Sequence, residues 1–111
     1  MGAKWLSCKG LIKQIYRQEI QLMIKGQITI INKLGLHARA AAKLVNTTAR
    51  FSSNILIGSP TNMVDAKSIM SVMMLAASQG SILDLEVVGE DKEQAMDAVC
   101  ALVNDRFGEH E

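Results

Sequence analysis

The chain has 111 residues, 49% of them hydrophobic and 21% charged, the size and balance of one domain that buries about two-thirds of its unfolded surface. Twelve Lys and Arg face eleven Asp and Glu, for a formal net charge of +1, and aromatics make up only 4%; such a chain favours neither a nucleic-acid face nor an anionic membrane as partner. Function that depends on charge must therefore be local. Cys8 and Cys100 form no CxxC pair, and neither has a His at metal-ligand spacing. No metal, cofactor or disulfide framework is expected, and reduced thiols fit. No apolar run reaches the length of a membrane span and no clean secretory h-region opens the chain, so a cytoplasmic protein is expected.

Residues 1–22 differ in character from the rest. Trp5, Leu6, Cys8, Leu11, Ile12, Ile15 and Tyr16 recur at helix-like spacing among Lys4, Lys9, Lys13 and Arg17, a pattern that fits a basic amphipathic helix on a membrane or partner. The simpler reading makes Met23 the natural start and residues 1–22 an upstream extension, with Gln18-Glu19 encoded by a ribosome-binding sequence of the CAGGAG type. The domain proper then spans residues 23–111.

Residues 25–31 alternate Gln27 and Thr29 against Ile28 and Ile30, which predicts a strand. Asn32 to Leu36 form a strand-to-helix loop, where Gly35 can take positive φ before a sharp reversal. The spacing of Ala41, Leu44, Val45 and Thr48 predicts a helix over residues 38–50. Strands follow at residues 52–59, with Ile55 and Ile57 inward, and at 63–67, joined as a hairpin by the Gly58-Ser59-Pro60-Thr61-Asn62 turn. Ser68 is a good N-cap for a second helix that Gly80 ends. In the fourth strand, 82–89, Leu83, Leu85 and Val87 face one side and Asp84 and Glu86 the other. Asp91-Lys92-Glu93 opens a third helix, whose apolar face carries Met96, Val99, Cys100, Leu102, Val103 and Phe107. The order β-α-β-β-α-β-α with half-polar strands predicts a two-layer α/β (α+β) sandwich, a sheet with helices on one face, with Leu44, Leu85 and Val99 as core anchors.

His37 stands directly before a helix, where unpaired N–H groups and the helix dipole favour an anion. The amides of Arg39 and Ala40 can donate to a phosphoryl group on the imidazole, and the Arg39 guanidinium can pair with it bidentately. Imidazole suits such a carrier because it is nucleophilic near neutral pH and forms covalent intermediates. The dipole contributes about 0.3–1 kcal/mol, enough to tune the site but not to drive phosphorylation, so the donor must come with a partner. On composition alone a plain capping histidine accounts for the same residues. No GxxxxGK[ST] loop and no carboxylate pair make the chain an autonomous nucleotide-using enzyme.

Two segments carry a family resemblance. Gly35-Leu36-His37-Ala38-Arg39 matches a GLHxR active-site motif, and Ala66-Lys67-Ser68-Ile69-Met70-Ser71-Val72-Met73 matches a regulatory-serine segment. From about Met23 to Phe107 the chain resembles HPr, the histidine phosphocarrier family of the bacterial phosphoenolpyruvate-dependent phosphotransferase system, and its nitrogen-related branch. The resemblance implies an open-faced β-sandwich with a four-stranded antiparallel sheet and three helices on one face. It implies that enzyme I, charged by phosphoenolpyruvate, phosphorylates the δ1 nitrogen of His37, with Arg39 as electrostatic partner, and that a IIA-type domain takes the group on. The protein would be a monomeric shuttle with transient partners, not a true enzyme.

Many members have proline where this chain has Ala40, which restores an amide facing the phosphoryl group or water. The resemblance further implies Ser68 as the target of an HPr kinase/phosphorylase, and an apolar patch of Ile69, Met70 and Met73 that docks partners, for which flexible Met is suited. Val72 and Leu75 are assigned to the core, and His110 has no role. The competing class is a regulatory binding module controlled by Ser68, with little transfer through His37. N-terminal sequencing of the native protein is expected to begin at Met23; a native chain beginning at Met1 would remove the upstream-start reading.

Overall fold

The computed structural model describes the backbone of residues 3–8, 11–17 and 22–111, and side chains from residue 23 onward. Two strands, β1 (Ala3–Cys8) and β2 (Leu11–Arg17), precede the expected unit: β3 (Leu22–Thr29), α1 (Ala38–Thr48), β4 (Asn54–Ser59), β5 (Asn62–Asp65), α2 (Ile69–Met74), β6 (Ile82–Val88) and α3 (Lys92–Asn104). From β3 onward the order is the β-α-β-β-α-β-α read from the pattern, with four antiparallel strands β3-β6-β4-β5 and three helices. Among the described residues of the first 22, the helix-like spacing produces strands and no helix. β1 pairs with β2 and β2 with β3, extending the sheet to six strands in the order β1-β2-β3-β6-β4-β5. The physical reason is that β3 would otherwise present a free edge of unpaired N–H and C=O groups.

Alternation sets which face of the sheet is dry. Ile24 and Ile28 of β3 lie opposite Val87 and Leu83 of β6, and Ile55 and Ile57 of β4 lie opposite Val87 and Leu85; all are buried. The helices close over this face with Leu44 from α1, Val72 from α2, and Met96, Val99 and Val103 from α3. Leu44, Leu85 and Val99, the expected anchors, are each at most 1% exposed, so truncating any one to Ala costs about 2–5 kcal/mol. Leu75 is only partly buried against this core. The other face carries polar cross-strand pairs, with Lys25 Nζ 3.6 Å from Glu86 Oε2 and Gln27 Nε2 donating to Asp84 Oδ1 at 3.1 Å.

Two details depart from the sequence reading. α2 stops at Met74 rather than running to Gly80. Leu75 N–H and Ala76 N–H turn back on Val72 O (3.2 Å) and Met73 O (3.1 Å), and Ala76 takes a φ of 52°, so the chain leaves the helix through a left-handed alanine. Phe107 is buried as expected, but it lies beyond α3, in a tight turn at Arg106–Gly108. Cys100 is buried on the inner face of α3 and accepts from Asn104 Nδ2 at 3.4 Å.

Asp91 joins two elements that the sequence reading treated separately. It is the N-cap of α3, yet its carboxylate reaches back to the start of β4, accepting from Ser52 N–H (2.9 Å), Ser53 N–H (3.0 Å) and the Ser53 hydroxyl. These bonds, the Ser53 hydroxyl first, lower its pKa from 3.8 to about 2, because they favour the charged form. A lowered folded-state pKa gives stability that is present above 3.8 and lost as pH falls through about 2. Urea unfolding across that range should show Asp91→Asn less stable than the parent at neutral pH, with the gap closing in acid; a gap independent of pH would disprove the linkage.

Candidate phosphoryl-carrier site

β3 delivers the chain into a tightly fixed loop. Ile30 is fully buried, and its N–H and C=O are bonded to Ser81 O (2.9 Å) and Gly80 N–H (2.7 Å). Asn32, also fully buried, donates Nδ2 to Gly35 O at 2.9 Å within the loop. Gly35 has a φ of 71°, and a Cβ there would stand 2.5 Å from Ala77 O. Leu36 N–H donates to the same carbonyl at 2.9 Å. The loop is thus pressed against the segment that follows α2.

His37 is the N-cap of α1, in an extended conformation (φ −76°, ψ −179°), and its side chain makes no capping bond. A serine there would turn its hydroxyl onto the helix; the imidazole stays outside it. The first intrahelical bond runs from Ala41 N–H to His37 O at 2.8 Å, leaving the amides of Ala38, Arg39 and Ala40 outside the helical ladder. Arg39 is exposed, whereas Ala40 is fully buried against the core. Of the two amides expected to hold phosphate, only that of Arg39 belongs to an exposed residue, and the Ala40 amide does not face open water.

The opposite wall comes from the end of the chain, which sequence reasoning did not connect to the site. After α3, Arg106, Phe107 and Gly108 have φ values of 53°, 54° and 78°, a left-handed turn that returns the chain towards α1. Phe107, 1% exposed, seats it in the core, and Lys43 Nζ of α1 donates to Phe107 O at 2.7 Å. Glu109 then meets His37: its Oε2 pairs with His37 Nε2, and its Oε1 accepts from Asn32 Nδ2 at 2.9 Å. These bonds, that from Asn32 first, lower the Glu109 pKa. Lys33 N–H donates to Glu111 O at 2.6 Å and Lys33 Nζ lies 3.3 Å from Glu111 Oε1. No motif marks Glu109; an acidic residue shortly after a buried aromatic was the only signal.

Between the two walls lies an open cavity of about 850 Å³ lined by Lys33, Leu34, His37, Arg39, Lys43 and Glu109, among others. Lys33, Arg39 and Lys43 share this lining with the carboxylates of Glu109 and Glu111, and Lys33 is paired with Glu111, so the part that favours an anion is the helix start beside Arg39. His110, given no role from sequence, also lines the cavity.

Ser68 lies apart from this cluster as the N-cap of α2, its hydroxyl accepting from Ser71 N–H at 3.3 Å. Behind it Ile69, Met70 and Met73 are exposed, together with Met74, which at 79% is the most exposed of the four. Leu34, 67% exposed on the His37 loop, adds an apolar residue that periodicity did not single out.

The class of structure is an open-faced sheet with helices on one face and a non-capping histidine, followed by an arginine, at a helix start. Residues 24–105 match the family model of the HPr component of the phosphotransferase system, described as its phosphorylation site. The chain is 54% identical over 89 residues to the phosphocarrier protein HPr of Cupriavidus necator, an alignment covering 80% of this chain and all of that protein. It is 41% identical to the phosphocarrier protein NPr of Shewanella violacea, over 78% of this chain and 94% of that one. A crystal structure of HPr-C-His from Thermoanaerobacter tengcongensis superposes with a TM-score of 0.75 at 44% identity, covering 78% of this chain and 98% of the other. The chain belongs to the HPr family of phosphocarriers.

Gly35→Ala tests the loop that carries the histidine. An L-residue at this φ costs about 1–2 kcal/mol, and its methyl group would meet a backbone carbonyl. Urea unfolding should register a loss of at least about 2 kcal/mol; unchanged stability would show that the loop is not held by this contact.

Proposed function

We propose that His37 carries the phosphoryl group on Nδ1. The observation that supports it best is the ring's own environment. Nε2 is engaged by Glu109, Nδ1 has no hydrogen-bond partner among the described residues, and the ring stands free of its helix, lining the open cavity with Arg39. The Nδ1 lone pair attacks the phosphorus of the donor; the P–N bond forms as the donor's bond to phosphorus breaks, and that electron pair leaves with the donor. Arg39 and the α1 start hold the oxygens. In the second half an acceptor nucleophile takes the phosphorus and the P–N pair returns to Nδ1. The donor is enzyme I charged by phosphoenolpyruvate, and the acceptor is a IIA-type domain of the sugar-transport or nitrogen-related branch. On this reading the protein is a cytoplasmic monomer and a shuttle, not an enzyme.

Ser68 is the regulatory position. Its hydroxyl already faces the first-turn amide of Ser71, so a phosphate added there by an HPr kinase/phosphorylase suits the helix start, while bringing nearly two negative charges beside exposed Ile69 and Met70. Those residues and Met73 form the docking face, where charge would weaken apolar contact. If ATP and the kinase labelled Ser68 while enzyme I left His37 unlabelled, the regulatory-module reading would replace the carrier one.

Incubation with enzyme I and phosphoenolpyruvate should give an acid-labile, alkali-stable phosphohistidine that maps to His37. His37→Ala should abolish it, and stoichiometric labelling of that variant would overturn the assignment. Arg39→Ala should fold normally and transfer about 10- to 100-fold more slowly, the loss expected for charge-assisted hydrogen bonds.

A further inference from the structure

We propose that Asn32 and Glu109 are positioning residues that keep the proton on His37 Nε2 through both halves of the transfer cycle. The inference rests on His37 being the carrier and assigns work to two residues outside the GLHxR motif.

Two structural arrangements, one from each end of the domain, converge on a single carboxylate. Asn32 is fully buried and uses both hydrogens of its amide, one on Gly35 O in the His37 loop and one on Glu109 Oε1, each at 2.9 Å. Its Oδ1 is left buried without a partner. A buried acceptor without a partner is destabilising, so stability alone does not account for an asparagine here; its two donated bonds do. From the other end, Arg106 and Phe107 hold left-handed conformations unfavourable to residues with a Cβ. The turn they make, seated by buried Phe107, is what brings Glu109 back to the ring. Local strain maintained next to a reactive group is the pattern expected where geometry serves chemistry.

The chemistry gives that geometry its use. An ionised carboxylate accepts hydrogen bonds and cannot donate them. Facing one, Nε2 must carry the hydrogen, and the neutral ring then has its lone pair on Nδ1. Attack on phosphorus turns the ring into an N-phosphorylated imidazolium, with Nε2 still protonated and its positive charge facing Glu109. A phosphoimidazolium releases phosphoryl more readily than a neutral phosphoimidazole. On discharge the P–N electron pair returns to Nδ1 and the ring is neutral again, without a proton having left or entered. Glu109 therefore serves both directions.

The test uses the whole chain with enzyme I and phosphoenolpyruvate, reading single-turnover phosphoryl transfer and the ¹⁵N spectrum of the His37 ring before and after phosphorylation. Glu109→Ala should slow transfer about 10- to 100-fold and expose the Nε2 proton to rapid exchange with water. Asn32→Asp, which sets a second carboxylate against Glu109, should act in the same direction. Glu109→Gln keeps an acceptor of the same shape without its charge; it should restore the Nε2–H signal but not the rate, and it serves as the folded control. A Glu109→Ala chain with the parental rate, or one that slows while the ring signals stay as in the parent, would overturn the proposal. A parent chain that takes no phosphate on His37 would instead overturn the carrier reading.

Discussion

The amide of Asn32 is where the two ends of the domain are tied together. One hydrogen fixes the loop that carries His37, the other fixes the tail that carries Glu109. Everything that places the histidine has to agree at this point: the end of β3, the left-handed Gly35, and the return of the chain after α3. Because the group is fully buried, water cannot stand in for a lost partner, and the bonds are stronger than they would be at the surface. The site is a seam between two chain segments, closed by hydrogen bonds, with the imidazole on its outer side.

The sheet supports that seam indirectly. Its dry face takes all three helices, so the start of α1 and the end of α3 are held in one plane by the same layer of Ile, Leu and Val side chains. Its other face needs only polar cross-strand pairs such as Lys25 with Glu86, whose worth at this exposure is well under the core's. The division explains how a small domain can leave several large apolar residues on its surface. Ile69, Met70, Met73 and Met74 contribute little to the core because Val72, on the inner side of their short helix, is buried there alone.

What could be read from the sequence was what short-range physics writes into it. Alternation in Ile82–Val88 marked a strand, Ser68 marked a cap, Gly35 marked a positive φ, and His37 beside Arg39 marked an anion-friendly helix start. Long-range contacts left no such trace. Asn32 and Glu109 look like ordinary loop and tail residues until the turn at Phe107 brings them together, and Asp91 looked like a helix-opening acid although its carboxylate serves β4. The second helix was read too long because Ala carries no signal of a left-handed conformation, and Ala76 adopts one. In the first 22 residues the apolar positions follow helical spacing, and the pairing of β2 against the edge of β3 overrides it. The buried state of Ala40 was equally invisible, since a small residue at a helix start fits either side.

Phe107 gives this arrangement a thermodynamic consequence. The side chain that seats the tail belongs to the main core, so moving the backbone that carries Glu109 away from the ring means withdrawing a buried phenyl group. Fully exposing such a side chain costs about 1.5–3 kcal/mol, which holds the open-tail population to between about 0.6 and 7%. The contact between Glu109 and the ring is in this way coupled to the integrity of the core: agents that loosen the interior would part the carboxylate from His37 before the sheet itself came apart.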